Sequence, residues 1–163
     1  MSRADLLDVN VWLALAHVRH PHHAAAKRYW TTSLAPMAFC RTSMQGFLRL
    51  VTLPVVMGDA VHTPAEAWDI YNAHLSTGRS VCLPEPDGLE SVWQRLSSAQ
   101  NFSIRDWTDA YLASFAICAD CRLVSFDGGF VKFQGQNQDE DSSKLKNQNI
   151  GLEFLHLRAD FAV

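Results

Sequence analysis

The chain has 163 residues, of which 48% are apolar and 19% are charged, and its formal net charge is −3. This length and composition are typical of one globular domain that buries its own core. No apolar run reaches the roughly 18–20 residues of a membrane-spanning helix. The opening MSRADLLD has an acid where a signal peptide needs an apolar segment. We therefore expect a cytoplasmic protein without membrane contacts. Its net charge is mildly negative, so it lacks the overall positive charge that predicts nucleic-acid binding.

Short apolar strands alternate with helical patterns along the chain. The first strand is Leu6-Leu7 and ends at Asp8, and a helix follows from Val9 to about Val18. Further strands are predicted at 36–40, 80–83, 122–126 and 151–157. Further helices are predicted at 22–30, 44–53, 64–77, 87–96 and 106–119, with Thr42 or Ser43 as the cap of the second of these.

This alternation predicts a single α/β domain over residues 1–163, with a parallel sheet of about four to five strands and helices on both faces. Residues 134–149 interrupt the pattern, because this segment is polar, charged and almost free of apolar side chains. We expect this insert to be a flexible loop before the last strand.

Two aspartates directly follow predicted strands: Asp8 ends the first strand and Asp127 ends the strand at 122–126. The carboxyl ends of parallel strands meet at one edge of a sheet, where ligands bind. Asp106 and Asp109 are three residues apart near the start of one helix and share a face of it. If that helix begins at the same edge, carboxylates from distant parts of the chain come together there.

Gathered carboxylates repel one another and lose hydration, so some would take up protons unless a cation compensates them. Mg²⁺ and Mn²⁺ prefer oxygen ligands, and Mg²⁺ usually takes one or two carboxylates together with waters and substrate phosphates. Such an ion can polarise a phosphodiester and activate water for in-line attack. An acidic protein can then act on RNA or DNA, because the ion supplies the positive charge.

Each acid also has a structural explanation, which the residues alone leave open. Asp106 completes an S-x-x-D capping box, Asp109 suits the positive end of a helix dipole, and Asp127 precedes Gly-Gly as a turn residue. Asp8 is the hardest to explain in this way, although Asn10 could equally cap the helix that follows it.

Five segments together resemble a known family. LLDVNVWLAL, HPHHAAAKRYW, FCRTSMQGFLRLVT, WTDAYLASFA and RLVSFDGGF occur in the order and spacing of a PIN-domain ribonuclease toxin of the VapC type. Each segment alone is a weak signal, whereas the five together are specific and extend from Asp5 to about Phe133. The resemblance implies a Mg²⁺- or Mn²⁺-dependent endoribonuclease, the toxin of a type II toxin–antitoxin pair, and a homodimer blocked by a cognate antitoxin protein.

The resemblance also implies roles for individual residues. Asp8 matches the family's first metal-binding acid, Asp109 the acid that opens the long helix, and Asp127 the acid that ends the following strand. Asn10 matches a small polar position that orients the first acid. Asp106 has no firm counterpart and keeps its explanation as a helix cap.

One departure from the family concerns its fourth acid. Many members have a glutamate in the helix after the second strand, where this chain has Met44 and Gln45. A glutamine can hold a metal-bound water but contributes no charge, so a second metal ion would bind more weakly. Arg49 lies one turn beyond Gln45 on the same face, where it could contact substrate phosphate or pair with an acid in the core.

Two other functions compete with cleavage of a tRNA or rRNA. The missing glutamate favours a catalytically weakened module that binds RNA or a protein partner. A phosphoryl-transfer or receiver-type domain would need a phosphate-binding lysine after a late strand, for which Lys132 is the candidate. A haloacid-type phosphatase would need D-x-D near the start, where the chain has Asp8-Val9-Asn10.

Overall fold

The structure is a computed structural model that describes residues 3–135 and 152–158. Within these residues, five strands form one sheet in which every neighbouring pair is parallel. The strands are β1 (Asp5–Leu7), β2 (Met37–Phe39), β3 (Ser80–Cys82), β4 (Arg122–Ser125) and β5 (Glu153–His156). Their order is β3-β2-β1-β4-β5, so β1 lies at the centre between β2 and β4. The predicted parallel sheet is confirmed.

Seven α-helices accompany these strands in the described part of the chain. They are α1 (Val9–Ala16), α2 (His23–Thr32), α3 (Arg41–Val51), α4 (Pro54–Met57), α5 (Pro64–Ser76), α6 (Leu89–Ser97) and α7 (Trp107–Cys118). Short 3₁₀ segments occur at Gly58–Ala60, Ile104–Asp106 and Gly128–Phe133. The last of these is longer than the simple Gly-Gly turn that the sequence suggested.

Helices cover both faces of the sheet, as predicted. Leu6 and Leu123 pack in one apolar cluster with residues of α6 and α7. Leu7 and Val124 pack in a second cluster with residues of α1 and α3, because successive residues of a strand point to opposite faces. All three residues of β1 are buried. The central strand is therefore covered by apolar side chains on both of its faces.

The start of α3 corrects the prediction that Thr42 or Ser43 caps this helix. The cap is Cys40, whose thiol accepts a hydrogen bond from the backbone N–H of Ser43, while the Ser43 hydroxyl accepts one from the backbone N–H of Cys40. Cysteine is not among the residues that usually signal a cap. The sequence pattern therefore predicted a cap in this region but assigned it to the wrong residue. The helix therefore begins almost directly after β2.

A buried ion pair joins the two central strands at their amino ends. Asp5 is only 1% exposed, and its two carboxylate oxygens accept hydrogen bonds of 2.9 Å from Nε and Nη2 of Arg122. The hydroxyls of Tyr29 and Ser33 also donate to Asp5. These bonds satisfy a charge that would otherwise be costly to bury, and they fasten the end of α2 to the sheet.

The predicted insert at 134–149 lies outside the described residues, apart from Gln134 and Gly135. The organisation of the whole chain as a single domain stays a prediction. In the part of the chain that the structure describes, no helix has the length and apolar character needed to cross a membrane.

The Asp5–Arg122 pair leads to a prediction about stability. Asp5→Asn should lower the free energy of unfolding by about 2–4 kcal/mol, because it leaves the guanidinium of Arg122 half-buried without its counter-charge. Urea unfolding followed by circular dichroism measures this change.

Asp69→Asn on the exposed side of α5 is the matched control and should change the unfolding free energy by less than about 0.5 kcal/mol. A double variant, Asp5→Asn with Arg122→Met, should recover part of the loss. Equal stability of Asp5→Asn and the wild type would contradict the assigned role of the pair.

Candidate metal and RNA site

Asp8 lies at the carboxyl end of the central strand, where it caps α1. Its backbone N–H continues the β1–β4 pairing by donating to the carbonyl of Val124 at 2.9 Å. Its Oδ1 atom accepts a hydrogen bond of 2.6 Å from the backbone N–H of Val9, the first residue of α1. The residue is 7% exposed, so the strand end and the helix start together hold a carboxylate in an almost dry position.

Ser125 and Asn10 fix the second oxygen of that carboxylate. Oδ2 of Asp8 accepts hydrogen bonds of 2.7 Å from the Ser125 hydroxyl and 2.9 Å from the Asn10 amide. The Asn10 amide also donates to the Ser125 hydroxyl, and the Asn10 carbonyl accepts from the backbone N–H of Phe126. This network joins the ends of β1 and β4, and within it the Asn10 amide contacts both the Asp8 carboxylate and the Ser125 hydroxyl.

Asp127 is attached to the same network. Its backbone N–H donates to the Ser125 hydroxyl at 2.9 Å, and its carboxylate accepts from the backbone N–H of Gly129 at 2.8 Å. Asp127 thereby caps the 3₁₀ segment Gly128–Phe133. The turn explanation from the sequence is correct locally, yet the same hydrogen bonds hold the residue close enough to Asp8 for their charges to interact.

Asp109 reaches this group of acids from the first turn of α7. Partial burial is the main cause that raises its pKa to about 6, and the charges of Asp8 and Asp127 raise it further. Burial likewise raises the pKa of Asp8, although the hydrogen bonds from Ser125 and Val9 oppose that effect. The three sequence-distant aspartates therefore lie close enough for their charges to repel one another.

Asp106 occupies the rim of the site and has two structural partners. Its Oδ2 atom accepts a hydrogen bond of 2.8 Å from the backbone N–H of Ser103, which completes the predicted capping box. Its Oδ1 atom forms an ion pair of 2.5 Å with the ammonium of Lys132. The interaction with Lys132 is the main cause that lowers the pKa of Asp106, and the hydrogen bond from the backbone N–H of Ser103 lowers it further. Its charge is compensated locally, unlike the charges of Asp8 and Asp109.

Gln45 and Arg49 both lie on the exposed side of α3. A glycine beside Gln45 allows α3 to approach α1 closely, since a Cβ atom at Gly46 would lie 3.1 Å from Cγ2 of Val9. Val9 directly follows Asp8, so this contact brings the first half of α3 near the start of α1. Arg49 is one turn further along α3 and therefore more distant from the sheet edge.

The carboxylates of the site suit a hard cation that is completed by other oxygens. Among residues 3–135 and 152–158, no three His, Cys, Asp or Glu side chains are arranged to hold a metal ion by themselves. Mg²⁺ does not require such a cage, because it commonly binds through one or two carboxylates together with waters and substrate phosphates. Asp8 and Asp109, two neighbouring carboxylates with raised pKa values, are the kind of donors that such an ion stabilises.

Sequence reasoning missed two residues of this site. The sequence predicts Ser125 only as part of a strand. Its position two residues before Asp127 nevertheless puts both side chains on the same face of the extended chain. Lys132 was considered only for a different class of protein. Its place beside Asp106 depends on the 3₁₀ segment that follows Asp127, which the Gly-Gly pair did not reveal.

A parallel α/β sheet that places aspartates at the carboxyl ends of β1 and β4 is an arrangement suited to a nuclease. Comparison with known proteins agrees, because residues 6–136 match the family model of the PIN domain. Ribonuclease VapC41 of Mycobacterium tuberculosis is 40% identical over 136 residues, which cover 80% of this chain and 93% of that protein. The chain therefore belongs to the PIN-domain family, and within it to the VapC-type ribonucleases.

Solved structures show the same fold at low sequence identity. VapC20 of Mycobacterium tuberculosis, described as a toxin that cleaves the sarcin–ricin loop, superposes with a TM-score of 0.61 at 19% identity, over 78% of this chain and 93% of that one. A chain of VapBC2 from Rickettsia felis, crystallised with a DNA fragment from their promoter, gives a TM-score of 0.62 at 11% identity, over 95% and 99% of the two chains.

The raised pKa of Asp109 predicts a pH-dependent stability of the metal-free protein. An aspartate in the unfolded chain titrates near 3.9, so between about pH 4 and 6 the folded state binds more protons than the unfolded state. The contribution of Asp109 to stability therefore falls as the pH rises through this window. Asp109→Asn should make the protein more stable at pH 7 by about 2 kcal/mol and should flatten the dependence.

Urea unfolding in EDTA at several pH values between 4 and 8 tests this, with Asp69→Asn as the control. The dependence that remains in Asp109→Asn should combine a contribution of the same sign from Asp8, whose pKa is also raised, with contributions of the opposite sign from His74 and Asp106, whose pKa values are lowered. The electrostatic description of the site would be wrong if Asp109→Asn were no more stable than the wild type at pH 7.

Proposed function

We propose that this protein is the RNA-cleaving toxin of a toxin–antitoxin pair and that its activity depends on Mg²⁺, with Mn²⁺ as an alternative. The observation that supports this most directly is the proximity of Asp8, Asp109 and Asp127, where burial and mutual repulsion raise the pKa of Asp109 to about 6 although the charge of Lys132 opposes this. A bound cation would relieve this repulsion and keep the carboxylates ionised at neutral pH. RNA is proposed as the substrate because the relative named above is a ribonuclease.

The three aspartates would surround the ion, with one or two of them binding it directly and with waters and RNA phosphate oxygens completing its ligands. Asp8 comes from the end of β1, Asp127 from the end of β4, and Asp109 from the first turn of α7. A bound Mg²⁺ would polarise the scissile phosphodiester and offset the charge that develops on it. Ser125 and Asn10 keep the Asp8 carboxylate in one orientation, so no reorganisation is needed when substrate arrives.

RNA is the substrate that we assign, with a tRNA or rRNA as the expected class. The exposed guanidinium of Arg49 and the amide of Gln45 on α3 are candidates for contacts to phosphate or to an ion-bound water. The described residues show no ion pair for Arg49, which favours the substrate role over a structural pairing with a core acid. Asp106 is not assigned to the ion. It forms an ion pair with Lys132 and would act by positioning that lysine.

Inhibition by a cognate antitoxin protein follows from the same charges. A basic side chain inserted among Asp8, Asp109 and Asp127 would satisfy the site in place of a cation, through charge-assisted hydrogen bonds. We further propose that the toxin is a homodimer and that it acts in the cytoplasm, where its RNA substrate and its partner are found.

Asp8→Asn tests catalysis directly. The substitution keeps the size of the side chain but removes the charge that would hold the ion, so cleavage of total tRNA or rRNA in Mg²⁺ should fall by about 100-fold or more. Gel analysis of the RNA products over time measures the rate, and circular dichroism verifies that the variant is folded.

Asp69→Asn is again the matched control and should cleave RNA at the wild-type rate. If Asp8→Asn cleaves RNA as fast as Asp69→Asn does, the ribonuclease site is not the one described. If the wild type also fails to cleave RNA but binds it, the alternative of a weakened PIN-fold binding module is correct.

Gln45 provides a test of how many ions the site can bind. Gln45→Glu restores an acid at a position where many family members have one, and it should raise Mn²⁺ affinity by about fivefold, because it adds a carboxylate near Asp8. Isothermal titration calorimetry with MnCl₂ measures both affinity and stoichiometry.

Gln94→Glu on the exposed side of α6 makes the same change of charge elsewhere and controls for the net charge of the protein. Equal effects of the two substitutions on Mn²⁺ affinity would show that Gln45 lies outside the metal site.

A further inference from the structure

Lys132 places a positive charge at the edge of the group of aspartates. It lies near the end of the 3₁₀ segment that Asp127 caps, and its ammonium forms an ion pair of 2.5 Å with Asp106. The charge of Lys132 also acts on Asp109, where it opposes the effect of the neighbouring carboxylates. The lysine is therefore near two of the acids that flank the start of α7.

Asp106 holds this lysine without giving up its role as a helix cap. Its Oδ2 atom accepts the bond from the backbone N–H of Ser103, while Oδ1 binds the ammonium of Lys132. The capping box does not require a lysine, so capping alone does not explain why Lys132 is placed here. The Lys132 side chain is 31% exposed, which makes it accessible to a ligand that arrives from solvent.

An RNA strand that approaches this site faces an electrostatic obstacle. Its phosphates are negatively charged, the formal net charge of the protein is −3, and the charges of Asp8, Asp106 and Asp127 act together on Asp109 at this edge of the sheet. An ammonium held there offsets the repulsion where the substrate enters. We propose that Lys132 binds a phosphate of the RNA next to the scissile one, and that Asp106 positions Lys132 for this contact.

This inference rests on the proposed function and assigns a substrate-binding residue within it. The test measures binding of a single-stranded RNA of mixed sequence by fluorescence anisotropy in Mg²⁺ at several KCl concentrations, with each variant made in the Asp8→Asn background so that cleavage is suppressed. Lys132→Ala should raise the dissociation constant about tenfold and should reduce the slope of log affinity against log salt by about 0.7. Lys132→Arg should remain within about threefold of the wild type.

Lys27→Ala is the matched control, because it removes the same charge from an exposed position on α2 and should change RNA affinity by less than about twofold. Asp106→Asn retains an oxygen that can cap the helix but loses the charge that holds the lysine. It should weaken RNA binding about threefold on its own and have no further effect in the Lys132→Ala background, as expected for two residues that act through one contact.

Calorimetric titration with MnCl₂ separates a substrate contact from a structural role. Lys132→Ala should bind Mn²⁺ at least as tightly as the wild type, since it removes a competing positive charge. Equal RNA affinities of Lys132→Ala and Lys27→Ala would overturn the inference, as would a loss of RNA binding accompanied by weaker Mn²⁺ binding and a lower Tm. In both cases a wild type that cleaves RNA leaves the proposed function intact, whereas a wild type that neither binds nor cleaves RNA overturns both.

Discussion

The hydrogen bonds that hold the Asp8 carboxylate at the end of the central strand constrain the rest of the site. Ser125, Asn10 and the backbone N–H of Val9 fix this almost buried side chain in one orientation. These donors favour the ionised carboxylate, yet burial outweighs them and raises its pKa. Asp109 and Asp127 add further negative charge to the same place. Under the proposed function a cation would offset this negative charge, and the hydrogen bonds to Asp8 would hold its carboxylate ready for that ion.

The sheet order explains why acids from such distant parts of the chain meet. Because β1 lies between β2 and β4, the ends of β1 and β4 are adjacent, and the helices that follow β1 and β2 begin at the same edge. Helix starts offer unpaired N–H groups and the positive end of the helix dipole. Asp8 and Asp127 cap the segments that follow them, and Asp109 lies in the first turn of α7. A structural role and a role in the proposed site are therefore compatible for Asp8 and Asp127, since the capping hydrogen bonds hold their carboxylates in place.

Much of this was predictable from the sequence because it depends on local patterns and on one general rule. Alternating strands and helices identify a parallel sheet, and residues after parallel strands meet at one edge. The sequence therefore predicts that Asp8 and Asp127 lie near each other. The order of the strands, the cap at Cys40 and the bond from Ser125 to Asp8 were not predictable in this way. Each depends on contacts between segments far apart in the chain, and neither a cysteine cap nor a serine inside a strand has a distinctive local signal.

The balance of charge also explains why a glutamine at position 45 is compatible with activity. In a site with a fourth acid near Asp8, additional negative charge favours binding of a second divalent ion. Here the charge of Asp106 is already compensated by Lys132, and Gln45 adds none. One divalent ion then offsets most of the charge that remains on Asp8, Asp109 and Asp127. A second ion would find little uncompensated charge until the RNA itself arrives, so substrate phosphate and protein carboxylates together set how many ions the site can hold.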